Sequence, residues 1–212
     1  MTRTVEGLGR TWAWPDDDTE CVKVAFGWVD DLDVAAGFCK QRRAAIQAGG
    51  NMGVWPWRLA QTFGYVVTAE PDVECCKLLL DNLLGLSNVE VWASAFMNRP
   101  DWRLRMHANP GNRGAQYVEP FSGPHPLQCI TIDSLGVHDC DLIYLDVEGA
   151  ELLALQGAAE TIQRSHPVIA FEENGCSTRF NIPPGSTEQW LATRFGYQVV
   201  ARCHNDVVMT CA

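Results

Sequence analysis

Carboxylates gather where apolar runs end. LDVEGAE carries Asp146, Glu148 and Glu151, and PVIAFEE closes on Glu172 and Glu173. A carboxylate at the carboxyl edge of a sheet can take a proton from a bound hydroxyl, and either Asp146 or Glu148 can be that base. Glu151 has a rival use, since three residues after Glu148 it stands at a helix start, where negative charge stabilises the helix terminus. Glu172 and Glu173 alternate faces, so one of them points into a crevice. Among His107, His125 and His166, His125 in the loop GPHP is the best alternative base, because imidazole titrates near neutrality. Several carboxylates at one edge can also hold Mg²⁺ through oxygen. No D-D or D-x-D cluster falls at the strand ends, however, and the site is expected to contain no metal.

A second group lies upstream in AAIQAGGNMGVWPWRLA. Gly49, Gly50 and Gly53 follow an apolar run and precede a helical stretch, and glycines at such a turn let the backbone approach a ligand closely. The spacing G-G-x-x-G departs from the dinucleotide fingerprint G-x-G-x-x-G, which weakens a nicotinamide or flavin reading. Glycine also serves turns that bind nothing. Glu70, in TAEP 21 residues after Gly49, decides between these uses, because an acid at the end of the next strand can accept both hydroxyls of a ribose. Turn and acid together point to an adenosine-bearing ligand.

The elements that must position these groups alternate. Residues 43–49 form a short apolar run, and Trp55, Leu59 and Phe63 then recur every four residues, as in a helix. YVVTAE is β-branched and strand-like, DVECCKLLLDNLLG is an amphipathic helix stopped by Gly85, and NVEVWASAF is a further strand. DLIYLDV, AELLALQGAAETIQR, PVIAFEE and STEQWLATRFG continue the series. The pattern predicts an α/β fold: a Rossmann-like, doubly wound, mostly parallel sheet covered on both faces. YQVVARCHNDVVMTCA adds a C-terminal antiparallel hairpin. Residues 1–212 are read as one domain, with 1–40 as an N-terminal extension packed on a 43–212 core. Residues 96–128, broken by Pro, Gly and Asn, form an irregular lid or acceptor region.

Bulk properties narrow the functions. The 212 residues and 47% hydrophobic content suffice for one substantial core. The net charge of −10 opposes a phosphate-binding face and so disfavours nucleic acid as partner. No run of apolar residues is long enough for a membrane span, and the first residues, MTRTVEGLGR, lack a secretory signal. A cytoplasmic location is expected. The nine cysteines form no C-x-x-C pair, and buried thiols are expected rather than a metal or disulfide framework.

AIQAGGNMG, VVTAEPD, DNLLGLSNVEV, ITIDSL, DLIYLDVEGAELLALQGA and PVIAFEENG, taken in this order, resemble the FkbM family of class I S-adenosylmethionine-dependent methyltransferases over roughly residues 43–175. LDVEGAE with its downstream L-x-G-A is the most specific piece. The resemblance implies S-adenosylmethionine as cofactor and methylation of a hydroxyl on a sugar, a glycan or a similar small molecule. It places Gly49, Gly50, Asn51 and Gly53 along the methionine and ribose side, Glu70 on the ribose, Pro71 beside the adenine and Ser94 at the adenine edge. Asp146 stands between cofactor and acceptor. Gln47 occupies a position where the family has an acid, so its amide oxygen would accept a hydrogen bond without charge attraction to the cofactor's ammonium. Two alternatives stand beside this reading: an RNA methyltransferase, and a catalytically inactive S-adenosylmethionine-binding protein for which Gln47 is the hint.

Overall fold

In the computed structural model, residues 1–211 are described. The chain opens with an antiparallel hairpin, β1 (Thr2–Gly7) and β2 (Arg10–Pro15), followed by α1 (Cys21–Gly27) and α2 (Asp31–Gly37). The alternating series follows: β3 (Ala44–Ala48), α3 (Val54–Ala60), β4 (Tyr65–Ala69), α4 (Val73–Asn82) and β5 (Val89–Trp92). Short strands β6 (Ala95–Phe96), β7 (Leu104–His107), β8 (Tyr117–Pro120) and β9 (Cys129–Ile130) then interrupt the alternation. It resumes with β10 (Cys140–Leu145), α5 (Glu151–Gln156), α6 (Ala159–Ser165), β11 (Val168–Glu172), α7 (Ser186–Phe195), β12 (Tyr197–Cys203) and β13 (Asp206–Cys211).

Seven strands form the central sheet in the order β12-β13-β11-β10-β3-β4-β5. The five from β5 to β11 are parallel, while β13 runs antiparallel to β11 and β12 antiparallel to β13. This is the expected doubly wound sheet ending in a hairpin. Its central strands are apolar throughout because both faces are covered. Alternation along β10 shows the two layers: Leu142 and Tyr144 pack into the cluster containing Leu32 and Leu59, whereas Ile143 and Leu145 pack into the one containing Leu155, Ile162 and Leu191. The chain winds from β3 outward to β5, then restarts beside β3 at β10. A crevice opens at the carboxyl ends beside that restart.

The first 40 residues join the first layer. Trp12 and Trp14, on one face of β2, are fully buried there. Asn82 ties β2 to α4, with its amide oxygen accepting from Ala13 N at 2.7 Å and its amide nitrogen donating to Ala13 O and Met52 O. Asp18, from the run DDD, is buried. It accepts from Trp14 Nε1, Val22 N and Arg113 N, and so anchors both α1 and the segment before β8. That segment and its neighbours form a third small core of Ala95, Met97, Leu104, Val118, Cys129 and Ala150. All nine cysteines are free thiols. Among the described residues, no helix is long and apolar enough to cross a membrane.

Candidate active site

A cleft of about 320 Å³ opens at the carboxyl edge of the sheet. Its floor is the turn after β3. Gly49 sits at φ 80°, and a Cβ there would fall 1.9 Å from the backbone oxygen of Asp146, so no other residue fits without moving β10. The N–H groups of Gly49 and Gly50 both donate to Ala69 O, at 3.2 and 3.0 Å, which binds the turn to the end of β4. Gly53 starts α3 in the left-handed region and does not line the cleft, whereas Gly49, Gly50 and Asn51 do.

Glu70 follows β4 and lines the same cleft. Its two oxygens accept from Asn51 N and Asp72 N, each at 2.8 Å. Burial pushes its carboxyl up to about 7, against the pull of those two donors. Pro71 and Ser94 line the cleft beyond it, toward β5. Trp55 lines the cleft while its ring packs edge-on against Tyr144 in the core and its Nε1 donates to Ala25 O.

The other end of the cleft is acidic. Asp146 follows β10, Glu172 ends β11, Asp206 begins β13, and Glu148 sits at φ 55° in the turn before α5. One oxygen each from Asp146, Glu148 and Glu172 lies within 4.8 Å of the other two. Burial holds the Asp146 carboxyl well above the usual range, and the charges of Glu172, Asp206, Glu148 and Glu151 add to the effect. Glu172 is pushed up to about 8, by burial first and then by Glu148 and Glu151. Asp206 rises to about 6 through burial, although the Tyr144 hydroxyl donates to it. Glu148 is held by Arg179 at 3.1 Å and by the Cys176 thiol at 3.4 Å. Three oxygen ligands in this arrangement can hold a hard divalent cation. Local spacing does not display such a set, because its members come from two strand ends and a turn.

Several candidates lie elsewhere. Gln47 is fully buried and does not line the cleft. Its Nε2 donates to Ala48 O and Gly49 O, and its Oε1 accepts from Thr68 Oγ1. The side chain therefore shapes the glycine turn from behind, rather than lining the cleft as the cofactor assignment expected. His125, the alternative base, is exposed at φ 56° between Pro124 and Pro126, and the structure does not bring it into the cleft lining. His107 stacks on Tyr117, and His166 is an exposed helix cap. Glu151 accepts from Val147 N and Gly149 N at 3.1 Å, so it closes the turn before α5. Glu173 accepts from Gly185 N, away from the cleft. Further lining residues come from α1 (Cys21, Val24, Ala25), which was not anticipated, and from Arg113–Val118, within the region 96–128 read as lid or acceptor wall. Nothing local marks which core a short helix such as α1 will cover.

The raised carboxyls link stability to pH. Glu70, Glu151, Glu172 and Asp206 have pKa values near 7, 7, 8 and 6 in the fold against 4.5 or 3.8 otherwise. Between those limits the folded protein binds protons that the unfolded chain has released, so stability falls as pH rises through the window. Calorimetry on the ligand-free protein is expected to show Tm at least about 5 °C lower at pH 8.5 than at pH 5.5. A flat or rising Tm would mean that the cluster is well solvated.

A Rossmann-like sheet with a glycine turn after its central strand, an acid after the next strand and an open carboxyl edge defines a nucleoside-binding enzyme domain. Residues 49–199 match the methyltransferase FkbM domain, and the chain belongs to that family. It accordingly carries a methyltransferase domain. No curated protein matches the sequence. Among solved structures, an FkbM methyltransferase from Methylobacillus flagellatus is similar at 19% identity and a TM-score of 0.57, with 82% of this chain and 45% of that one covered. The chain thus spans less than half the length of that relative. An S-adenosylmethionine-dependent methyltransferase from Aquifex aeolicus is similar at 15% identity and a TM-score of 0.50, covering 92% and 95%. An rRNA methylase from Streptococcus thermophilus is similar at 11% identity and a TM-score of 0.52, covering 85% and 93%. At these identities the likenesses concern the fold.

Proposed function

We propose that the chain methylates a hydroxyl of a sugar, a glycan or a similar polyol, with Gly49, Gly50 and Asn51 against the cofactor's methionine and ribose, Glu70 on the ribose hydroxyls and Asp146 as the base. The observation that carries this reading is the acidic end of the cleft, where the Asp146 carboxyl is held at a raised pKa. Methyl transfer from a sulfonium is an in-line displacement, so the site must align acceptor oxygen, methyl carbon and sulfur. An alcohol oxygen attacks better as its proton leaves, and a carboxylate made more basic by burial suits that task. The same acids repel a phosphate backbone, which weighs against RNA as acceptor. Incubation with radiolabelled cofactor and either neutral glycans or total RNA tests the choice. Label is expected in base-stable ethers on the glycan, and label in RNA would overturn the reading.

The ribose assignment has its own test. Glu70→Ala removes the acceptor of both hydroxyls and is expected to weaken S-adenosylhomocysteine binding by about 1.5–3 kcal/mol in calorimetry, the usual scale for hydrogen bonds to a charged group. An unchanged affinity would take Glu70 off the ribose.

A further inference from the structure

Among the described residues, three buried side-chain polar atoms have no hydrogen-bond partner: Ser94 Oγ, Arg113 Nε and Gln116 Oε1. All three residues line the one cleft. Leaving such an atom unpaired is costly, and their concentration at one place marks a ligand that supplies the missing partners. Ser94 is 1% exposed and Gln116 8% exposed, so bulk water is a poor substitute.

From these atoms we infer that Gln116 reads the adenine of the cofactor, its Oε1 accepting from the exocyclic N6 amino group. The inference rests on the placement of the ribose at Glu70. From Glu70 the acidic acceptor end lies toward β10 and β11, and the sulfonium must face it. The base therefore points the opposite way along the sheet, toward β5 and the first turn of α4, where Ser94 and Cys75 stand. Gln116 is tied to that place, because its Nε2 donates to Cys75 Sγ at 3.7 Å. With the amide so oriented, Oε1 remains as an acceptor only. The cofactor offers few donors: the ribose hydroxyls belong to Glu70, and the ammonium lies at the methionine end. The N6 amino group is the one left. Ser94 Oγ–H and Arg113 Nε–H are donors suited to ring nitrogens of the same base.

The reader of the base thus comes from the irregular segment before β8, which Asp18 fastens at Arg113 N, 2.6 Å away, and Asn51 Nδ2 fastens at Arg113 O, 3.2 Å away. The glycine turn and the segment over it are joined directly, so base recognition and cofactor seating share one framework.

S-inosylhomocysteine, which carries a carbonyl in place of the amino group, is the discriminating probe. Calorimetric titration of the full chain with S-adenosylhomocysteine and with the inosine form is expected to show a preference for adenine of about tenfold or more, since a site built to accept from an amino group rejects the analogue that lacks it. In Gln116→Met, of similar length but without a polar end, adenosine binding should fall about tenfold while inosine binding does not fall, bringing the two within about twofold. Gln116→Asn, too short to reach, should give the same collapse and serves if the methionine variant fails to fold. A preference retained in the folded variants would overturn the assignment while leaving the cofactor site standing. Wild-type protein binding neither compound would overturn the cofactor site and the assignment together.

Discussion

Asp146→Asn is expected to leave S-adenosylhomocysteine affinity within about twofold of wild type and to lower methyl transfer by about 10²- to 10⁴-fold, the range associated with losing a general base. The expectation follows from position. Asp146 is the first residue after β10, the strand beside the glycine turn, and it lines the cleft there, which in the proposed reading puts its carboxylate between cofactor and acceptor. Asparagine keeps the shape and removes the basicity. The pH profile sharpens the test, because a base must be ionised and burial with neighbouring acids raises the pH at which that happens. Wild-type turnover should therefore climb with pH on its acid side well above the range of an ordinary carboxylate. Asp146 and Glu172 titrate as an interacting set, and the limb belongs to the pair. In Asp146→Asn the remaining turnover should lose that limb. Retained turnover with the limb intact would move the base role to Glu148 or Glu172.

The acidic cluster also marks where sequence reading stopped. β3, β4, β10 and β11 were legible because a parallel strand buried on both faces must be apolar along its whole length, and the helices between them keep a 3.6-residue stripe. The positions of Gly49 and Glu70 just after β3 and β4 were legible because the apolar runs before them end there. The placement of Gln47 was not legible because a strand residue beside a turn can face the cleft or fold back onto the backbone, and Thr68, which donates to its amide oxygen, comes from the next strand. The gathering of Asp146, Glu148 and Glu172 depends on the order of strands in the sheet, which spacing along the chain does not carry. Gln116 and Arg113 depend on more still. Their segment has no periodicity, and it is tied down by Asp18 of the acidic run DDD, 95 residues away from Arg113 in sequence. Trp12 and Trp14 alternate along β2 and are buried together, yet a two-residue sign cannot say which sheet face a hairpin will cover.

Gly49→Ala should be the most damaging single methyl that can be added to this protein's cofactor turn. Two penalties combine there: the residue sits at φ 80°, and its new Cβ would lie 1.9 Å from Asp146 O and 3.0 Å from the carbonyl carbon behind it. The obstacle is backbone in the centre of the sheet, where β3 and β10 are paired and Asp146 N donates to Ala48 O at 3.1 Å, so it cannot rotate aside. Gly136 separates the two penalties, since at φ 67° a Cβ there meets nothing within 4 Å. Gly136→Ala is expected to cost about 1 kcal/mol, from backbone conformation alone. Gly49→Ala is expected to cost about 2–4 kcal/mol in chemical denaturation, because overpacking adds to the conformational term. Function should suffer beyond stability. Relief of the contact pushes the turn away from Asp146, shifting the floor under the cofactor and the carboxylate that faces the acceptor. S-adenosylhomocysteine affinity should fall at least about tenfold, and transfer at saturating cofactor should fall as well, since an error of about 1 Å in alignment costs about 10²-fold. Equal losses of stability in the two variants, with cofactor affinity intact in both, would show that β10 yields to the added methyl and that the close approach of turn and strand is not what seats the cofactor.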